Sequence, residues 1–362
     1  MLLSARDFQR RLLKWYQRHR RDLPWRLPLN FAPSDSLNPY HVLVSEMMLQ
    51  QTQVATVIPY FHRFVTRFPT IPDLAAADLQ EVLKLWQGLG YYSRAKNLRS
   101  AAQMVLKDFA GEVPSDVDHL LKLPGIGRYS AGAIASIAFE RRAPILDGNV
   151  ARVLCRLDKI RSDPRDRETI ALLWKRADEI LPGKRVGDFN SALMELGATV
   201  CTPRNPQCLI CPVQKHCEAL AAGLQEKIPP PRKRMETPLE KRWTFCIRRG
   251  QEFLIEQRPP TGRWAGMWQF LTRPAEESGV TAKTIRSLFS IRSSAPAHLG
   301  NVQHGLTHRR YDFSVYVAET RDGASPSIGT PHAWITLDRL HEYPLPRPHL
   351  RIAAQLNASK NG

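Results

Sequence analysis

No uninterrupted apolar stretch of the 362-residue chain approaches the roughly 18 residues that a membrane-spanning helix needs. A helical membrane protein is therefore not expected, and a soluble chain is. The amino terminus MLLSARDFQRRLLKWYQRHRR is charged from Arg6 onward and lacks the apolar core of a signal peptide, so an intracellular chain with reduced thiols is expected. Tandem repeats and long low-complexity tracts are also missing, which excludes a solenoid. Acidic residues are scarce, 34 against 52 Lys and Arg, giving a net charge of +18. The deficit is general, since 32 basic and 23 acidic residues precede Pro231 and 20 and 11 follow from it onward. A polyanion gripped by both parts is the first inference and nucleic acid its leading candidate, although basic surfaces also occur without that role.

Cysteine is rare too, yet four of the six lie within the seventeen residues CTPRNPQCLICPVQKHC, 201–217. The expected compartment argues against disulfides. Zinc usually takes two close pairs, whereas here a single CxxC (Cys208, Cys211) follows Cys201 after a six-residue gap and precedes Cys217 by a five-residue gap. One pair with two outliers in a loop stiffened by Pro203, Pro206 and Pro212 suits a cubane iron-sulfur cluster better. Zinc with His216 as a ligand stays open on spacing alone. Cys155 and Cys246 lie in apolar surroundings and read as core residues.

The segment 227–240, with KIPPPRKRMETP, is rich in proline and positive charge and poor in apolar anchors, so it reads as a linker. Before it, PYHVLVSEMMLQQTQVATVIPYFHRFVTRF reads as long periodic helix, and LQEVLKLWQGLG and SRAKNLRSAAQMVLKDF as further helices. After it, RWTFCIRR, EFLIEQR, RRYDFSVYVAE and HAWITL read as strands. In LLKLPGIGRYSAGAIASIAF (120–139) a helix is expected to end at Leu123 and another to begin near Tyr129. The turn glycines, Gly125 and Gly127, permit close backbone approach, and free amides there can bind a phosphate without reading a base. Alone, such a turn is more often an ordinary helix connection.

Taken in order, LPWR (23–26), SEMMLQQTQV (45–54), GLGYYSRAKNL (88–98), LPGIG, ILDGNV (145–150) and the cysteine loop resemble the helix-hairpin-helix DNA glycosylases, and within them the MutY-type adenine DNA glycosylases. The resemblance runs over nearly the whole chain. It implies a mainly α helix-hairpin-helix glycosylase fold over 1–226, with the hairpin near 120–133, followed by an α+β Nudix-like 8-oxoguanine recognition domain over 241–362. It implies a 4Fe-4S cluster bound by Cys201, Cys208, Cys211 and Cys217. It also implies a monofunctional enzyme of base excision repair acting on double-stranded DNA with A:8-oxoguanine or A:G mispairs. Such an enzyme is expected to be a monomer in the bacterial cytoplasm, associated with the nucleoid, with no membrane partner.

Residue roles follow from the same resemblance. On a helix, Glu46, Gln50 and Gln53 would share one face, with Val42, Leu43, Met47 and Met48 around the acid. Alone, a glutamate on a polar stripe is most often solvated. In this motif the apolar neighbours raise its pKa, and the resemblance implies that Glu46 protonates N7 of adenine. Asp147 matches the carboxylate that stabilises the oxocarbenium-like sugar, and it can also cap the helix beginning near Val150. Tyr129 and Asn149 match orienting positions. Gln51 and Tyr91 match residues inserted beside the partner base, and Leu23, Trp25 and Arg26 match the entrance of the adenine pocket. Ser191 departs from the larger polar residue of relatives.

Tyr129 also stands where endonuclease III-like glycosylase/lyases place their lysine, and a phenol cannot form a Schiff base. Such a lyase for oxidised pyrimidines is the alternative enzyme. A cluster-bearing protein that only recognises damage is the non-enzymatic alternative, against which the Glu46 and Asp147 pair argues. In the second domain, residues 274–294 offer only Glu276 and Glu277, too few for the magnesium site of a Nudix hydrolase. QHGLTHRR occupies the place of the family's Phe-Ser-His loop. It keeps a hydroxyl and an imidazole, Thr307 and His308, for 8-oxoguanine, but has Leu306 in place of the ring.

Overall fold

The computed structural model describes residues 5–28, 36–231, 236–277, 279–306, 308–320 and 326–359. By its contacts the chain divides into two compact units, Met1–Ala76 with Asn97–Lys233, and Ala77–Lys96 with Arg234–Gly362.

The first part of the chain is helical: α1 (Ala5–His19), α2 (Pro39–Leu49), α3 (Val54–Arg67), α4 (Ile71–Ala76), α5 (Leu79–Trp86), α6 (Ser93–Asp108), α7 (Val117–Lys122), α8 (Arg128–Phe139), α9 (Gly148–Leu157), α10 (Arg167–Glu179), α11 (Val186–Thr199) and the short α12 (Glu218–Ala221). In the first unit the amphipathic faces of α1, α9, α10 and α11 meet in a core that includes Phe8, Leu12, Leu154, Phe189 and Leu193. Cys155 is buried in the same core, and Cys201, Cys211 and Cys217 pack against it. Helix α2 differs in being buried from Val42 to Met48, with Pro39 in its first turn and the Asn38 side chain accepting the Tyr40 amide at 2.9 Å.

Periodicity predicts one long helix through residues 39–68, but the structure breaks it. Helix α2 stops at Leu49, Gln51 adopts a left-handed backbone (φ 57°), and Gln53 caps α3. Gln50 and Gln53 therefore do not extend the face that carries Glu46. The hydrophobic pattern continues across the break because both helices bury a face, so periodicity alone does not reveal the turn.

The second unit holds a six-stranded sheet of β1 (Leu239–Arg249), β2 (Glu252–Gln257), β3 (Trp268–Pro274), β4 (Ala297–Gly305), β5 (Arg310–Glu319) and β6 (His332–Thr336), in the order β4-β5-β1-β3-β2-β6. Among the described residues only β1 and β5 pair in parallel. Alternation along β1 sends Trp243, Phe245 and Ile247 to one face, under α13 (Ala282–Phe289), and Cys246 to the other, under α14 (Arg347–Ala358). Strands β3 and β4 and both helices were not anticipated.

Helix α13, AKTIRSLF, carries no carboxylate, and the buried Glu256 is spoken for by Arg273 (2.8 and 3.0 Å) and Gln269 (2.9 Å). Incubated with nucleoside triphosphates and Mg²⁺, the protein should release no pyrophosphate above a buffer blank. Metal-dependent release that copurifies with the protein would contradict this.

Candidate active site and iron-sulfur loop

Helix α2 places Glu46 among fully buried Leu43, Met47 and Met48, with 4% of its surface exposed. Among the described residues nothing hydrogen-bonds its Oε2. Burial pushes its carboxyl up from the ordinary 4.5 to about 7; the Tyr129 hydroxyl and the Arg26 charge pull downward, and the charge of Asp147 adds to the rise. Tyr129, in the first turn of α8, has its own pKa raised by burial and then by the two carboxylates, and its hydroxyl donates to Met194 Sδ at 3.2 Å.

Asp147 is the N-cap of α9. Its Oδ1 accepts the Val150 amide at 2.7 Å and its Oδ2 accepts Asn149 Nδ2 at 2.9 Å, so the capping role is real and coexists with its place beside Glu46. Burial still lifts its pKa above the ordinary value against those bonds. Asn149 in turn accepts Arg152 Nη2 at 2.9 Å, and Arg152 donates to the carbonyls of Cys201 (2.8 Å) and Gly197 (2.8 Å). Helix α11 comes so close here that a Cβ on Gly197 would lie 2.7 Å from Asn149 Cβ.

The four clustered cysteines line one cavity together with Arg156. Arg156, 2% exposed, donates to the Cys201 sulfur (3.3 Å) and to the carbonyls of Thr202 (2.7 Å) and Ile228 (2.8 Å). Burial raises the thiols of Cys208 and Cys217 and pushes Cys211 up to about 12, so a bound metal must displace protons, and a buried guanidinium beside the sulfurs favours the thiolate form. This soft, all-thiol donor set fits an iron-sulfur cluster. His216 is engaged elsewhere, 3.2 Å from Asp7 Oδ2 and edge-on to Phe8.

Leu23 and Trp25 are buried, Trp25 edge-on to Phe61 at 5.2 Å. Arg26 donates to Glu195 Oε2 at 3.0 Å, and Arg21 reaches the same carboxylate at 2.6 Å. Burial opposes the charge of Glu195, but the two guanidiniums outweigh it and hold its pKa below the ordinary value. Ser191 is buried on α11. In the hairpin Gly125 has φ 80° and admits no side chain, since a Cβ would sit 2.7 Å from Asn97 Cβ, while Gly127 caps α8 with open space beside it. Gln50 ties α2 to this turn through Ser130 Oγ (3.2 Å) and the Gly125 carbonyl (3.4 Å).

Gln51 and Tyr91 are both exposed and both left-handed, with φ 57° and 48°. Such a backbone is uncommon outside glycine and persists only where the surroundings fix it. In the second unit Arg94 lies 5.4 Å from the centroid of the Tyr91 ring and donates to the Gly90 carbonyl at 3.1 Å. Tyr91, Leu306 and His308 line one cavity of that unit; Thr307 lies outside the described residues.

Residues 44–179 match the HhH-GPD superfamily of base excision DNA repair proteins, 201–217 the iron-sulfur binding domain of endonuclease III, and 243–355 the NUDIX domain. The adenine DNA glycosylase of Rattus norvegicus is 38% identical over 91% of this chain and 74% of its own length, and that of Homo sapiens 37% identical over 92% and 71%. The chain belongs to the adenine DNA glycosylase family. The solved structure of a thermostable thymine-DNA glycosylase shares the helical fold, with a TM-score of 0.53 and 29% identity over 60% of this chain and 97% of its own. As a family member the protein is a DNA N-glycosylase, a hydrolase of base excision repair that acts on DNA and carries a 4Fe-4S cluster.

Three residues that bond into this part of the glycosylase were passed over by sequence reasoning: Arg152, Arg156 and Glu195. Asn149, Arg152 and Arg156 are spaced three and four apart on α9, so they share the face that meets the cysteine loop, and that spacing is the signal that could have found the two arginines. Arg156→Met keeps the length of the side chain but strands the Thr202 and Ile228 carbonyls, each costing about 1–3 kcal/mol when buried unpaired. The variant should melt at lower temperature and retain less iron per chain, read by metal analysis. Unchanged iron content and melting would refute the anchoring role.

Proposed function

We propose that this glycosylase excises adenine mispaired with 8-oxoguanine or guanine and leaves the strand intact. The observation that carries the reading is the buried Glu46 carboxyl, with one oxygen that no described residue hydrogen-bonds and a pKa that burial pushes up to about 7, in the field of the Asp147 carboxylate. Adenine is a poor leaving group until its ring is protonated. Glu46 gives its proton to N7, the bond from N9 to C1′ breaks, and the electron pair departs with the base. Positive charge then grows on the sugar, where Asp147, oriented by Asn149 and the α9 amides, stabilises it. Water adds to C1′ and its proton restores Glu46. Tyr129, which feels the charge of both acids, orients Glu46.

Cys201, Cys208, Cys211 and Cys217 hold the cluster, whose chemistry when bound is structural bracing of the loop carrying Arg204 and Lys215. Gly125 and Gly127 present hairpin amides to a phosphate. Gln51 and Tyr91 enter the duplex beside the partner base, an interpretation their exposure and left-handed backbones support. Arg26 faces the Glu46 charge and fits the adenine pocket, whereas Leu23 and Trp25, being buried, back its wall. Thr307 and His308 are the residues assigned to 8-oxoguanine recognition in the second domain. In this scheme residues 1–226 carry the chemistry, 227–240 link, and 241–362 read the partner base. The enzyme works as a monomer in the bacterial cytoplasm on nucleoid DNA; among the described residues no helix is long and apolar enough to cross a membrane, and the charge of +18 suits the polyanion.

Single-turnover excision from a duplex with A opposite 8-oxoguanine tests the acid. Because Glu46 must be protonated, the rate should fall as pH rises through about 7. Glu46→Gln should bind the mispair yet lose at least about 10²-fold in rate, along with that pH dependence. A wild-type rate in this variant would remove Glu46 from the mechanism.

The alternative lyase chemistry makes a different product. Wild-type enzyme should leave an abasic site that breaks only on alkali or heat, and Tyr129→Lys should give some borohydride-trappable adduct. Efficient scission by the wild type in neutral buffer, with stoichiometric trapping, would show that another lysine attacks the sugar.

A further inference from the structure

The second unit contains a cavity of about 690 Å³ that no step of the excision chemistry uses. Among the residues lining it are Tyr91, Lys96, Arg263, Trp264, Leu306 and Arg347, and none of its described lining residues is acidic. Full cations without a carboxylate, next to aromatic rings, form the chemistry of a nucleotide site: phosphates meet the cations and a base meets a ring. The size suits such a ligand.

Trp264 stands out within this wall. It sits in the turn between β2 and β3, where Gly262 (φ 83°), Trp264 (φ 52°) and Gly266 (φ 74°) all take the left-handed backbone. Glycine does so freely, but a bulky aromatic residue does so only when its neighbours over-determine it. Here they do: Arg258 Nε donates to the Arg263 carbonyl at 2.8 Å, and the Met267 amide donates to the Trp264 carbonyl at 3.1 Å. The indole is backed by aromatic side chains, with centroids 5.5 Å from Tyr311, 6.0 Å from His304 and 6.4 Å from Phe313, yet it stays half-buried and lines the cavity. An aliphatic residue, Leu306, stands in the same cavity where an aromatic one was expected.

We propose that Trp264 is a specificity-determining residue whose indole stacks on the purine opposite the excised adenine, while Arg263 and Arg347 meet the flanking phosphates. The inference rests on reading this cavity as the partner-base site. The test uses full-length holoenzyme and three duplexes, with adenine opposite 8-oxoguanine, guanine, or a tetrahydrofuran abasic analogue. Trp264→Leu should bind the two base-bearing duplexes roughly 10-fold more weakly, with the excision rate at saturating enzyme unchanged. Binding to the abasic-partner duplex should not change, and Trp264→Phe should recover most of the loss. Equal weakening on all three duplexes, no weakening on any, or no recovery by phenylalanine would overturn the proposal. A wild-type enzyme that binds the abasic-partner duplex as tightly as the others would sink the partner-base reading itself. A wild type that discriminates, with Trp264→Leu unaffected, would leave that reading standing and remove Trp264 from it.

Discussion

Keeping a carboxyl out of water is the constraint around which the first unit is arranged. A pKa lifted from 4.5 to about 7 corresponds to a bias of about 3 kcal/mol toward the neutral acid, and it arises chiefly because α2 is buried on every side at Glu46. The sign of the linkage is a cost: the folded state binds this proton more tightly than the unfolded chain does, so stability contributed here declines as pH rises from the ordinary glutamate range through about 7. Arg26 pulls the other way, since its charge favours ionised Glu46. Glu195 limits that pull. Fully buried and bonded to both Arg21 and Arg26, it compensates the guanidinium charge and fixes where Arg26 points. A glutamate that looks incidental in ALMELG thus helps keep the other glutamate neutral.

The second carboxylate is managed differently. Asp147 accepts an amide and an asparagine side chain, which restrict its rotation and favour its charged form, while burial still leaves its pKa above the ordinary value. The bonding continues outward through Asn149 and Arg152 to the Cys201 carbonyl, and Arg156 repeats the pattern one turn later on the cysteine loop itself. One face of α9 therefore positions an acid at its first turn and a metal-binding loop along its length. Disturbing the loop withdraws one partner, the Cys201 carbonyl, from Arg152, which in turn holds Asn149.

Much of this was legible in the sequence, for a physical reason. The hairpin turn, the cysteine spacing and the ILDGNV cap are local devices in which neighbouring residues satisfy each other, so a short string carries the information. Glu46 was legible only through its motif, because isolated polar residues on helices are ordinarily solvated. What stayed hidden depends on distant partners. Arg156 bonds to Ile228, Glu195 to Arg21, and Gln50 to Ser130, and nothing local to those residues reveals it. The break at Gln51 was masked by hydrophobic periodicity that continues through it. Strand β4 escaped because AHLGNVQHG, with two glycines and two histidines, has Val302 as its one β-branched residue and no Phe, Tyr or Trp to mark a strand, and its register is held by β5 and a bulge near His298 instead.

Chemistry and recognition make different demands on the backbone, and the two sets of residues differ accordingly. Glu46 sits within a regular, buried helix, and Tyr129 and Asp147 at helix starts, where the helix backbone restricts where each group can point. Gln51, Tyr91 and Trp264 sit in turns with left-handed backbones, two of them flanked by glycines in the same region. A left-handed residue projects its side chain away from the course a helix or strand would give it, so a short turn can hold a large group out toward a ligand. That geometry costs local stability, and it survives because Arg94 braces one turn and Arg258 another through backbone carbonyls. The two arginines are thus the counterpart of the two rings: each donates to a carbonyl of a left-handed turn, a hydrogen bond of the kind that regular secondary structure would have given it.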